Sequence, residues 1–124
     1  MKLQSKLLML GNYGCYLICL CKQFNQEDDI LRLYDYFLSK GYIGEDCYVK
    51  DPVSIVKYLS GNNYTVSKVT TTPVLQKGDF YVERWYNKAT GLAHFTLHDY
   101  DPLGESKTRL NGSIESYRYF KRKI

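Results

Sequence analysis

Gly14-Cys15-Tyr16-Leu17-Ile18-Cys19-Leu20-Cys21-Lys22-Gln23-Phe24 is the stretch on which the reading of this chain turns. Leu17, Ile18, Leu20, Cys21 and Phe24 stand at offsets that fall on one stripe of an α-helix, so a helix with one apolar face is predicted here. At about 100° per residue, Cys15 lies roughly opposite that stripe in the first turn, and Cys19 shares its side one turn later. Both thiols are therefore off the packing stripe. Cys15 in particular is not simply core, and Cys19 is expected to line the same cleft or to touch another element.

Two further helices follow. Glu27, Asp28 and Asp29 suit the positive end of a helix over residues 27 to 40; Ile30, Leu31, Leu33, Tyr34, Phe37 and Leu38 form its stripe, and Gly41 ends it. Asp51 as N-cap with Pro52 at the first helical position opens the next, which runs through Val53, Ile55, Val56 and Leu59 to Gly61. From Tyr64 the apolar period changes to two. Residues 64–69, 79–86, 92–98 and 114–120 read as strands, with residues 87–91 as a hairpin loop. Three N-terminal helices packed on one face of a C-terminal antiparallel sheet make an α+β fold, and residues 1–124 are expected to form a single domain.

The bulk properties narrow the function classes. The formal charge of +4 is gathered in Arg118, Lys121, Arg122 and Lys123, which read as a solvated terminus in preference to a nucleic-acid surface. Lys2 and Lys6 precede the apolar run from Leu7 to Leu10, but Gly11, Asn12, Tyr13 and Gly14 interrupt it too early for a secretory signal. No apolar stretch reaches the length of a membrane span. Cys15, Cys19, Cys21 and Cys47 are even in number, yet three of them share one predicted helix, where disulfide geometry is poor. Reduced thiols in a cytoplasmic protein are the expectation. No Cys-x-x-Cys pair accompanies Cys15 and Cys19, so neither a metal nor another cofactor is expected.

His94, in Ala93-His94-Phe95-Thr96-Leu97, supplies an imidazole on the third predicted strand. A thiol becomes a strong nucleophile when ionised, and a helix N-terminus and a neighbouring imidazole both favour that form. If His98 and Asp99 form a two-residue turn, Leu97 pairs with Tyr100, and Asp101 falls diagonally on the sheet face of His94, where a carboxylate would orient the ring. A different turn length would give Asp99 that place. Taken singly, the same residues read as a structural thiol, a strand histidine and an ordinary Asp-Pro turn.

Tyr13-Gly14-Cys15 opening a helix, Asp51-Pro52 opening a later one, His94-Phe95 on a strand and then Asp101-Pro102 form an ordered set. It resembles papain-like cysteine peptidases, in particular the compact group related to bacteriocin-leader-processing peptidases. The Tyr-Gly-Cys and His-Phe blocks are also similar to those of small bacterial and phage proteins classed as a domain of unknown function. The resemblance implies a papain-like fold, Cys15 as nucleophile, His94 as general base and acid, and Asp101 as the group that orients His94. Such peptidases usually carry a glutamine about six residues before the cysteine to help hold the oxyanion. Met9 stands there in this chain, with Gln4 further upstream; Asn12 would substitute only where its loop bends suitably, beside the backbone amide of Cys15.

Three functions follow as expectations. The first is a thiol hydrolase that cleaves an amide or isopeptide bond of a peptide or protein substrate. The second is a catalytically silent domain that binds a partner protein through some of its 13 tyrosines, among them Tyr13, Tyr16, Tyr48, Tyr81, Tyr86, Tyr100, Tyr117 and Tyr119. The third is single-stranded nucleic-acid binding by the rings and cations of residues 117–122. Strand alternation separates Tyr117 and Tyr119 from Arg118 and Phe120, so an amphipathic terminal strand is preferred there. The oligomeric state stays open.

Overall fold

A computed structural model of the chain describes residues 2–102 and 112–123. Among the described residues, four helices precede four strands: α1 (Leu3–Tyr13), α2 (Cys15–Gln23), α3 (Ile30–Ser39), α4 (Pro52–Ser60), β1 (Tyr64–Val69), β2 (Phe80–Asn87), β3 (Leu92–Thr96) and β4 (Ser113–Arg122). The α+β class and the order of helices before sheet are as expected. One helix more than the three expected is present, because α1 lacks a clean stripe: Leu3, Leu7 and Leu8 are exposed while Leu10 is buried. Its interior Gly11 also reads locally as a helix breaker. The acidic run ahead of α3 forms a separate 3-10 turn, Glu27–Asp29.

The start of α4 follows from two residues. Both oxygens of Asp51 are used, Oδ1 accepting the Ser54 backbone N–H at 3.1 Å and Oδ2 the Ser54 hydroxyl at 2.7 Å, while Pro52 has no N–H to satisfy. Gly61 closes the helix at φ 75°, the left-handed region that suits a residue without Cβ.

The sheet is antiparallel throughout, in the order β1-β4-β2-β3. Register and alternation put Val66, Phe80, Val82 and Phe120 on one face, with the Phe80 and Phe120 rings stacked 4.6 Å apart. This face joins Leu17, Leu20, Leu33, Phe37, Ile55 and Val56 of the helices in one core. Full burial of each such side chain contributes roughly 1.5–3 kcal/mol. Tyr81, Glu83, Trp85, His94, Thr96 and Tyr117 point to the opposite face.

β3 forms an edge of the sheet, and α2 packs along it. The Cys19 Sγ meets the Phe95 carbonyl at 3.5 Å, and the Tyr16 ring stacks on Phe95 at 4.4 Å. A helix at a sheet edge can reach side chains from both sheet faces, and this position brings the start of α2 to His94 as well as to Phe95. Of the two places expected for Cys19 the structure gives the second: it is fully buried and touches another element, β3, because α2 is enclosed by the sheet edge as well as by the helical core.

Candidate active site

Gly14 makes the junction that puts a thiol at a helix start. Its N–H donates to the Leu10 carbonyl at 2.9 Å, closing α1, and its own carbonyl accepts from Ile18 at 2.8 Å, opening α2. A Cβ at this residue would lie 2.5 Å from the Leu10 carbonyl oxygen, so the close approach requires glycine. Cys15 is consequently the first residue of α2, half-buried, on the wall of a cleft of about 790 Å³. The cleft runs between the loop that precedes α4, with Cys47 and Tyr48, and the helix-facing side of the sheet, with Val66 and Phe95.

His94 lies behind Cys15, only 3% exposed. Its Nε2 is 2.6 Å from Asp101 Oδ1, and Cys15 is near enough to act on the charge of the ring. With Nε2 engaged by the carboxylate, Nδ1 is the nitrogen left for the sulfur. Burial works against the charged ring, but the hydrogen bonds to Cys15 and to Asp101, with their charges, prevail, and the His94 pKa is raised. The structure thus brings together Cys15, His94 and Asp101.

The turn that delivers Asp101 is the one expected. Leu97 N–H donates to the Tyr100 carbonyl at 2.8 Å and Tyr100 N–H returns the bond at 3.3 Å. Asp101, buried beside His94, takes the orienting position, and Asp99 is exposed on the turn. His98 is exposed too, with Nδ1 3.4 Å from the Tyr81 hydroxyl.

The remaining expectations concern the oxyanion. Met9 is half-buried against the core and Gln4 is exposed, both within α1. Asn12 also belongs to α1, and its side chain lies outside the described residues. The amide of Cys15 heads α2, where first-turn N–H groups have no acceptor within their own helix.

All four cysteines are free thiols, and three of them are buried. Burial pushes the Cys19 thiol far up, with the charges of Cys15 and Asp101 adding to it. Cys21 is raised to about 12 and Cys47 to about 11, again chiefly by burial. Among the described residues, no group of three or more His, Cys, Asp or Glu side chains is placed to hold a metal ion.

Two features of the site escaped the sequence. Behind His94, its cross-strand partner Trp85 donates from Nε1 to the Thr96 hydroxyl at 3.0 Å, and Thr96 donates to the buried Glu83 at 2.7 Å. On the cleft side, Lys68, Arg84 and Arg118 share the sheet face of Phe95. Period-two alternation marks each of these residues as facing one side or the other. Which strands are neighbours, and the irregularity between Arg84 and Trp85 that shifts the register against β4, leave no such mark.

No curated protein and no solved structure matches the chain. The family described as "Protein of unknown function, DUF261" matches residues 2–122, in keeping with the likeness of the Tyr-Gly-Cys and His-Phe blocks to a domain of unknown function, and the chain belongs to that family.

Proposed function

We propose that the chain is a papain-like thiol hydrolase that cleaves an amide or isopeptide bond. The observation that carries this reading is the meeting of three side chains at one buried ring, with Asp101 Oδ1 2.6 Å from His94 Nε2 and Cys15 near enough to help raise the His94 pKa. In the proposed cycle the Cys15 sulfur attacks the substrate carbonyl, and the imidazolium of His94 gives its proton to the departing amine. Water then attacks the thioester, His94 takes the water proton, and the returning proton releases the acid and the sulfur. Asp101 accepts from Nε2 and holds the ring in the tautomer that leaves Nδ1 facing the sulfur.

Alkylation of the native chain by iodoacetamide at pH 6, followed site by site by mass spectrometry, tests the reading. Cys15 is expected to react faster than free cysteine, because a helix N-terminus and a neighbouring imidazole both favour the nucleophilic form of a thiol. A rate no faster than that of free cysteine would rule out the activated thiol.

A second reading, a papain-like domain that binds a partner without catalysis, is favoured by the cleft mouth. Tyr13 and Tyr48 line it at 63% and 67% exposure, and Met9 stands where the related peptidases usually carry glutamine. Loss of a donor to the oxyanion typically costs about 10²–10³ in turnover. Loss of the biological effect in a well-folded Cys15→Ala variant would exclude the purely binding role.

A further inference from the structure

The helix-facing side of the sheet changes character along its length. At the end near Phe80 and Phe120 it is apolar, and toward Cys15 it carries Lys68, Arg84 and Arg118, paired in register as Lys68 with Arg118 and Arg84 with Phe95. All three cations line the cleft that Cys15 lines. Glu115 answers two of them, with Lys68 at 3.1 Å on one carboxylate oxygen and Arg84 at 2.9 Å on the other. Its acidity reflects this setting: a hydrogen bond from Ser116, then those from Lys68 and Arg84, outweigh burial and pull the Glu115 pKa down to about 2.

Arg118 is the remaining cation. Its Nη1 donates to the Ser116 hydroxyl at 2.9 Å, and its guanidinium carbon sits 5.8 Å from the centre of the Phe95 ring. Phe95 in turn stacks on Tyr16, the residue after Cys15. Among the described residues, no carboxylate lies within ion-pair distance of Arg118. Asp46, which lines the cleft from the facing loop, is exposed, and its Oδ1 accepts the Tyr48 backbone N–H at 3.1 Å. The wall beside the sulfur therefore carries more positive than negative charge, with a half-buried, planar donor at its centre.

We propose that this wall sets specificity, and that the cleft takes a substrate bearing a carboxylate close to the bond that Cys15 attacks. The inference rests on the hydrolase reading above. Arg118 is the principal anchor, with Lys68 and Arg84 adding to the field at the cleft. Two sources supply such a group, an acidic side chain and a chain end.

The test compares two alkylating agents of nearly equal size, anionic iodoacetate and neutral iodoacetamide, on Cys15 of the native full chain. The ratio of their rates, divided by the same ratio for free cysteine, is expected to be about tenfold at low ionic strength and to fall as salt is added. Arg118→Gln and Lys68→Gln are each expected to lower it, and Arg118→Lys to retain more of it than Arg118→Gln. A ratio equal to that of free cysteine, or one indifferent to salt, would overturn the proposal. A raised ratio that both Gln variants leave unchanged would overturn it as well, since the His94 imidazolium would then account for the attraction. Slow reaction with iodoacetamide at pH 6 would sink the hydrolase reading, whereas fast iodoacetamide with an ordinary ratio sinks this inference alone. Protection of Cys15 by acetyl-Gly-Glu-Gly-amide assigns the carboxylate to a side chain, and protection by acetyl-Gly-Gly-Gly with a free terminus assigns it to a chain end. Equal protection by acetyl-Gly-Gln-Gly-amide contradicts the proposal.

Discussion

The first turn of α2 and the turn after it carry the same functional group in opposite surroundings. Cys15 stands at the Gly14 junction, on a cleft wall and near enough to His94 to help raise the pKa of the ring. Cys19, four residues on, is fully buried, with its sulfur against the Phe95 carbonyl and its thiol held protonated by burial. What separates them is backbone placement. The kink at Gly14 begins the helix beside the open cleft, and the sheet edge then closes over it within one turn. A cysteine on this helix gains a proton acceptor and an approach path only at its first residue.

The contrast breaks most completely if the wrong thiol reacts. Replacing Cys15 with alanine is expected to abolish alkylation of the native chain at pH 6, with Cys19, Cys21 and Cys47 labelled only after unfolding, as read by peptide mass spectrometry. His94→Gln keeps much of the shape but removes the imidazole, and should slow labelling of Cys15 by about 10²-fold at that pH. Gly14→Ala must push the new methyl against the Leu10 carbonyl. It is expected to destabilise the fold by about 1–3 kcal/mol in urea titration and to slow Cys15 labelling by moving it. Cys19→Ala leaves a small void at the helix–sheet seam, costing about 1 kcal/mol, while labelling of Cys15 stays fast. The smallest effect is a pH dependence. Because the His94 pKa is raised, proton binding stabilises the fold fully below the ordinary histidine value of 6.5, and this contribution is lost as pH rises through the folded value. Asp101→Asn should flatten that stretch of the stability profile, a comparison that urea midpoints at several pH values decide.

How far the sequence disclosed this arrangement depended on the range of the interactions involved. Asp51-Pro52 and Gly61 bounded α4 correctly because capping is settled within a few residues. The turn at His98 and Asp99 was legible for the same reason, and it carried Asp101 to His94. The helix α1 was not foreseen, since its exposed leucines and interior glycine obscure the periodicity. Nor was the burial of Cys19, which depends on β3 being an edge that a helix covers. The cationic wall had no local signature either: Lys68, Arg84 and Arg118 are far apart in the chain and meet only through the pairing of β1, β4, β2 and β3.

The coupling of one sulfur to one ring is most directly measured by following the His94 ring carbons by NMR through a pH titration, in the native chain and in Cys15→Ala. With both partners present the midpoint should lie above 6.5, and it should drop when the sulfur is removed, since Cys15 and Asp101 together offset the burial of the ring. Identical midpoints in the two chains would show that Cys15 and His94 titrate independently, and the proposed nucleophile would have no partner.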